Sequence, residues 1–569
     1  LGGGRRAVWR GRGTCARWLS PEPEIPHQLQ FSGFRGAGGG GCYRGSTDFK
    51  SPHQRREPDG YAGSARRVSV RIKSTHASRR KNMSNIGHSE VWNGNIFSDG
   101  WKKATGGTQT VVEPATGENI GVIGVGSPED IDHAVISATK AQQTWAATPF
   151  DQRAAILREA ARLLKERAPE INDWNIRECG STRPKAEWEL HATYEQLQMA
   201  AALPMQPDGA LYPSAMPGRM NICRHVPIGV VGVIAPWNFP ILLGMRSVAP
   251  ALALGNAVIL KPDPQSGVAG GLLLAKVFED AGLPVGVLHV IPGGPAAGDA
   301  LVRHPKVGMI SFTGSTAVGR SIGEICGRML KKVALELGGN NAIVVLDDAD
   351  IEAATSSGAW GSFLHQGQIC MQTGRHLVHR SIAEKYAQRL AERARQLAVG
   401  NPALEQVHLG PLINQKQRDR IDDIVQTSVS AGATILTGGR YRGLFYEPTV
   451  LTGVMPGMAA YDQEIFGPVA PITVFDSDEE AVELVNVSEY GLAAAVHTQS
   501  MSRGLAISSR IRAGMVHVND QTVNNEFHVP FGGMGASGNG GRFGGPANVH
   551  EFTQTQWVSL MDKPIQYPF

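Results

Sequence analysis

The chain has 569 residues, is 42% hydrophobic and 19% charged, and carries 69 glycines and a net charge of +4. That length fits about two to four domains around a sizeable core, and no apolar run approaches the roughly 20 residues that cross a bilayer. Six cysteines, Cys15, Cys42, Cys179, Cys223, Cys326 and Cys370, show neither paired spacing nor a Cys-x-x-Cys, which argues against a disulfide framework and for reduced thiols in the cytoplasm.

The charge is uneven. Residues 1–82 hold 17 Lys+Arg against 5 Asp+Glu, and the remainder 38 against 46. The body is therefore mildly acidic and carries no nucleic-acid reading module. The leader has Gly38-Gly-Gly-Gly41, scattered Arg and Pro, and no sustained helix or strand period. It is read as a disordered or non-native leader, translated upstream sequence with Met83 as the native start. A transit peptide or a basic arm is the alternative.

After Met83, Thr108–Val112 and 119–125 read as short strands joined through Pro114-Ala-Thr-Gly117. Ser127-Pro-Glu-Asp130 is a helix start: a hydroxyl cap, proline in the first turn, then acids at the positive end. Ile131, Val135, Ala138 and Trp145 follow at helical spacing. A second helix is expected with Ala154, Leu157, Ala161, Leu164 and Ala168 on one face. Pro217-Gly218 marks a hairpin between the short runs of 211–226.

Strands and helices then alternate. Strands are expected at Val230–Ala235, 257–260, 287–291 and 309–312, with helices at 242–254, 270–281 and from 298. This pattern predicts parallel βαβ units, with ligands at the carboxyl ends of the strands. Asn238, Lys261 and Gly314-Ser315 fall near those ends. The usual Gly-x-Gly-x-x-Gly turn is missing, because the first strand runs into Pro236-Trp-Asn-Phe-Pro240. Gly314-Ser315, at a strand-to-helix junction, can still present free backbone N–H groups to a phosphate. A second α/β section follows Glu336, with strands at 342–346, 472–475 and 515–519. The stretch 552–558 reads as a late strand that must pair elsewhere.

Cys370 lies between a helical stretch and a strand. With Glu336 and Asn238 it offers a nucleophile, a base and an oxyanion donor. No His/Cys/Asp/Glu cluster has metal-ligand spacing. His365, His376 and His379 lie near the thiol in sequence, and a catalytic role is not assigned to them.

Seven motifs occur in the order seen in the aldehyde dehydrogenase superfamily: Pro236-Trp-Asn-Phe-Pro240, Lys261-Pro262, Phe312-Thr-Gly-Ser-Thr316, Glu336-Leu-Gly-Gly339, Gly367-Gln-Ile-Cys370, Glu464-Ile-Phe-Gly-Pro468 and Pro530-Phe-Gly-Gly533. The chain resembles that superfamily over about residues 90–560, and its motif surroundings look most like those of aromatic aldehyde dehydrogenases such as benzaldehyde dehydrogenases. The resemblance implies an α/β fold: a parallel Rossmann-type cofactor domain (83–208 and 227–337), an α/β catalytic domain (338–540), and a small bridging β segment (209–226 and 545–569). It implies a homodimer or homotetramer, with the tail strand pairing across subunits, and no membrane or nucleic-acid partner.

The resemblance also assigns roles. Cys370 attacks an aldehyde, Asn238 and the Cys370 backbone N–H hold the oxyanion, and Glu336 activates the water that hydrolyses the thioester. Pro236, Trp237, Lys261, Gly314, Ser315, Leu337, Gly338, Glu464 and Phe466 are expected at the cofactor. Lys261 is expected on the adenine ribose and Glu464 on the nicotinamide ribose, with Phe466 against the nicotinamide. Many NAD-preferring relatives carry an acid three residues after the lysine; here that position is Pro264. NAD is the expected cofactor, and NADP use stays open, as does a broad-range or aliphatic substrate.

Overall fold

The computed structural model describes residues 91–569; the basic leader and the expected start at Met83 lie outside them. Two seven-stranded sheets carry the site. In the first, Val230–Ala235, Ala257–Pro262 and Leu288–Val290 lie parallel and in chain order. The chain then crosses to the other side of Val230–Ala235 and adds Val307–Thr313 and Lys332–Glu336, again parallel. Asn95–Phe97 and Trp101–Lys103 extend the far edge antiparallel. Val230–Ala235 and Ala257–Pro262 are buried along their whole length, as central parallel strands covered on both faces must be. The strand order reverses between Val230–Ala235 and Val307–Thr313, so a crevice opens beyond their carboxyl ends.

The second sheet repeats this logic. Asn341–Val345, Thr373–His379 and Val469–Phe475 run parallel in that spatial order, and Ala493–His497 and Met515–Val518 continue from the other side of Asn341–Val345. A three-stranded sheet joins distant parts of the chain: Arg219–Pro227 pairs with Gly209–Tyr212 on one side and with Thr553–Met561 on the other. The late strand therefore finds its partner within its own chain, in nine-residue antiparallel register. Its other edge carries no strand among the described residues; a strand remote in sequence is brought to its partner only by the fold.

Local signals place most elements. The Pro128–Ala147 helix starts as expected: the Ser127 hydroxyl accepts from the N–H of Glu129 and Asp130, and the Asp130 side chain accepts from the N–H of Ser127. Three expectations are corrected. Ala168 does not continue the second helix, which ends at Glu166; Ala168 opens Ala168–Cys179 after a break at Arg167. Pro169 explains the break, since it cannot donate an interior helical hydrogen bond. The expected helix from Gly270 begins instead as the wider turn Val268–Leu272 and turns regular at Leu273. Lys261 sits within its strand, opposite Ile234, not beyond it. The strand Lys332–Glu336 was not anticipated.

Candidate active site

Asn238 follows the strand Val230–Ala235 and precedes the helix Pro240–Ala253. That helix start is held by a buried ion pair. Glu189 Oε1 accepts from the N–H of Ile241 at 2.8 Å and of Leu242 at 3.1 Å, satisfying two orphan donors of the first turn. Its other oxygen meets Lys185 Nζ at 2.6 Å, with both side chains almost wholly buried. Lys185 also donates to Ser181 Oγ at 3.0 Å and lies 4.4 Å from the centre of the Phe239 ring. A buried pair with its remaining hydrogen bonds filled holds one geometry, and here that geometry fixes the residues that follow Asn238. The Asn238 side-chain amide donates to the carbonyl of Gln368 at 2.9 Å.

Cys370 sits in the loop before Thr373–His379. His365, Gln366 and Gly367 all have left-handed φ, at 49°, 56° and 69°, an uncommon run that its surroundings must hold. Gln366 Nε2 donates to the carbonyls of Pro411 at 2.8 Å and Gly180 at 3.1 Å. A Cβ on Gly367 would lie 2.1 Å from the Gly467 carbonyl oxygen, so only glycine fits. On the far side of the thiol, Asn341 Nδ2 donates to the carbonyls of Cys370 at 2.9 Å and Gln372 at 2.7 Å. Cys370 packs against a buried cluster that includes Phe239, Leu242, Leu243 and Phe531. Burial pushes its thiol up to about 12; Arg246 opposes that shift, while Glu336 and Glu464 add to it.

Glu336 ends the strand Lys332–Glu336, opposite Thr313. Its neighbours are tied to the Gly-rich segment, Leu335 N–H to Asn539 Oδ1 at 2.9 Å and Leu337 N–H to the Ser537 carbonyl at 3.0 Å. The residue is 3% exposed, and the backbone N–H of Gly533 favours its ionised form. Burial raises its carboxyl to about 8, against the pull of Arg246 and Arg542. The three chemical groups thus come from different strand ends and loops, and Glu336 acts electrostatically on Cys370.

Of the other expected residues, Trp237 and Phe466 meet edge to face with ring centroids 5.6 Å apart, although they stand far apart along the chain. Pro236, beside Trp237, is partly exposed. Glu464 Oε1 accepts from the N–H of Gly339 at 2.8 Å. A Cβ on Gly338 would lie 2.3 Å from Glu464 Oε2, so the bare glycine makes room for the carboxylate. Burial raises Glu464 to about 7. Leu337 is buried, beside Glu336. Ser315 caps the helix Thr316–Arg328 without a side-chain hydrogen bond, directly after Gly314. Lys261 is buried, and its ammonium donates to the Gly293 carbonyl at 2.6 Å. Pro264 opens a short turn in which Asp263 accepts from Gln265 N–H at 2.9 Å. A dinucleotide fits this donor set: a cation at one end, unfilled helix N–H groups after Gly314 for phosphate, and a carboxylate at a glycine-lined edge for ribose hydroxyls.

Sequence reasoning missed Arg246, Lys185, Glu189 and Asn341. Arg246 had a visible signal: it is the one charged residue in Pro240–Ala253, a helix buried on every side. The ion pair had none, since i,i+4 charges usually mark a solvated helix face. Of the nearby histidines, His376 bonds Ser362 and Tyr386 at 2.8 Å each, and His379 bonds Ser381. His365 is fully buried against the edge of Phe239.

A thiol, a buried carboxyl and a carboxamide stand beside a dinucleotide-type crevice, and the chain belongs to the aldehyde dehydrogenase family, whose model matches residues 101–558. It is 61% identical over 479 residues to a benzaldehyde dehydrogenase [NAD(+)] of Pseudomonas putida, covering 84% of this chain and 98% of that protein. It is 55% identical to a vanillin dehydrogenase of an Amycolatopsis species, over 84% of this chain and 99% of that one. Among solved structures, it matches a salicylaldehyde dehydrogenase from Pseudomonas putida G7 complexed with salicylaldehyde, with a TM-score of 0.81, 32% identity, and 84% and 99% of the two chains covered. It also matches a betaine aldehyde dehydrogenase of Staphylococcus aureus in complex with NAD+, with a TM-score of 0.81, 29% identity, and 84% and 96% covered.

Proposed function

We propose that the protein oxidises an aromatic, benzaldehyde-like aldehyde to its carboxylic acid with NAD. The observation that carries this reading is the 61% identity along 479 residues to a benzaldehyde dehydrogenase, joined to the grouping of Cys370, Glu336 and Asn238. Cys370, as thiolate, attacks the aldehyde carbon and forms a thiohemiacetal. Asn238 and the Cys370 backbone N–H receive the oxyanion; one such donor is worth about 3 kcal/mol. Loss of hydride leaves a thioester on Cys370. Glu336, once ionised, takes a proton from water, which attacks the thioester, releases the acid and frees the thiol.

Lys261, Gly314, Ser315, Leu337, Gly338 and Glu464 are the residues that would hold NAD, with Pro236, Trp237 and Phe466 at the nicotinamide end. When bound, the nicotinamide supplies the hydride acceptor. The first sheet then serves as the cofactor domain (83–208 and 227–337), the second as the catalytic domain (338–540), and the three-stranded sheet as the bridge (209–226 and 545–569).

A homodimer or homotetramer is proposed, because Trp557 on the outer strand of the bridge is 70% exposed and Leu211 on the opposite strand equally so. Trp557→Glu should lower the mass seen by light scattering. Among the described residues, no helix is long and apolar enough to cross a membrane. A cytoplasmic location is proposed from the unpaired cysteines at all four described positions.

The test is a kcat/KM panel over benzaldehyde, ring-hydroxylated benzaldehydes, acetaldehyde and hexanal, with NAD and then NADP. Aromatic aldehydes with NAD should lead. Hexanal above every aromatic would overturn the substrate class and favour the aliphatic reading.

A further inference from the structure

Arg246 is a buried cation without a counter-ion. It is 7% exposed, lies two helical turns beyond Asn238 on Pro240–Ala253, and its Nη1 has no hydrogen-bond partner among the described residues. Its guanidinium stacks 4.1 Å from the centre of the Phe531 ring and 5.9 Å from that of Phe543. The aromatic faces offset part of its lost hydration. An unpaired buried charge is nonetheless destabilising. Phe531 belongs to the cluster against which Cys370 packs, so Arg246 stacks on a wall of the thiol's surroundings. Glu336, on the end of its strand, is a second buried ionisable group.

We propose that Arg246 is a positioning residue for charge: it offsets the single negative charge this centre carries at any one time, on Cys370 Sγ or on the Glu336 carboxylate, and so sets how readily the thiol ionises. The proposal deepens the nucleophile role given to Cys370 above and rests on it. Loss of the thiol proton to a solvent base leaves one negative charge on sulfur. The charged and titratable groups acting on that sulfur are Arg246, Glu336 and Glu464; those acting on Glu336 are Arg246, Arg542 and Glu551. Arg246 is the one cation common to both sets. Glu464 and Glu551 oppose ionisation, and Arg542 acts on the carboxyl. The same assignment explains why the guanidinium has no permanent carboxylate partner. A partner within contact would neutralise it before the thiol ionised.

The experiment reads the thiol and not turnover. Iodoacetamide alkylation of Cys370 in the full chain is followed from pH 6 to pH 11 by mass spectrometry, with Cys370→Ala as the control for the labelled site. Arg246→Gln should slow alkylation at pH 8 by roughly tenfold, equivalent to about one pH unit in the profile. Arg246→Lys, which keeps the charge, should stay close to the wild-type profile. Should Arg246→Gln fail to fold, Arg246→Met, which restores apolar contact with Phe531, carries the same measurement. A neutral variant whose profile overlays the wild type would overturn the proposal. So would a lysine variant displaced as far as the neutral one, because packing and not charge would then be responsible. Neither result depends on aldehyde turnover, so each is separable from failure of the proposed reaction, which Cys370→Ala tests on the aldehyde panel.

Discussion

Asn238 donates its side-chain amide to the Gln368 carbonyl at 2.9 Å, binding the turn after a strand of the first sheet to the loop that presents Cys370 from the second. A carboxamide nitrogen has two hydrogens, so the bond that orients Asn238 leaves a second donor for a reacting oxygen. Asn238→Ala should therefore lower kcat by about a hundred- to a thousandfold. The measurement is steady-state oxidation of benzaldehyde, with iodoacetamide labelling showing that Cys370 remains reachable.

Glu336 ties activity and stability to pH in opposite directions. Its carboxyl titrates at about 8, above its ordinary value of 4.5, and only the ionised form accepts a proton from water. Turnover limited by thioester hydrolysis should rise with pH through about 8. The folded state holds a proton between those two values that the unfolded chain has lost, so this group's contribution to stability is full below 4.5 and falls as pH rises through 8.

Glu336→Gln removes both effects. Thioester should accumulate after a single turnover and steady-state oxidation should drop by about a hundredfold or more. The variant should also be the more stable protein at pH 9, and indistinguishable from wild type near pH 4. Urea titrations at the two pH values check the stability arm, and acid-quench mass spectrometry checks the thioester.

The Lys185–Glu189 pair carries a separable prediction. Lys185→Met alone leaves a buried carboxylate uncompensated and should cost about 3–5 kcal/mol in urea unfolding. Replacing both residues by apolar ones of similar volume should recover most of that loss. It should not recover kcat, because the N–H groups of Ile241 and Leu242 lose their acceptor and the turn carrying Asn238 is released. Full activity in the double variant would show that the pair does not position the turn.

Cofactor choice is testable at Pro264. Pro264→Glu places a negative charge three residues after Lys261, where it repels a 2′-phosphate. The kcat/KM with NADP should fall on the order of tenfold, with the NAD value little changed. Equal losses with both cofactors would point to a disturbed turn at Asp263 in place of charge reading.

Local chemistry was legible where a short segment carries its own signal. The Ser127 cap, the buried run Val230–Ala235 and the Pro217-Gly218 turn all stand in the structure, because caps, apolar runs and turns are decided within a few residues. Boundaries failed where neighbours compete. Arg167 breaks a helix whose apolar spacing runs on past it, because Pro169 starts another. Lys332–Glu336 escaped notice because a five-residue strand is defined by its partner Val307–Thr313, not by its composition.

The sequence by itself determined the family, through seven motifs in a fixed order, and with it the α/β class and the candidacy of Cys370, Glu336 and Asn238. Only the tertiary structure decided what surrounds them. It brought Trp237 against Phe466, returned Thr553–Met561 to Arg219–Pro227 within one chain, and buried Arg246 near the thiol without a counter-ion. Contacts between residues hundreds of positions apart, and the shifts that burial imposes on ionisable groups, are properties of the packed interior. A motif records which residue stands at a position; the dielectric and the partners around it exist only once the chain has closed.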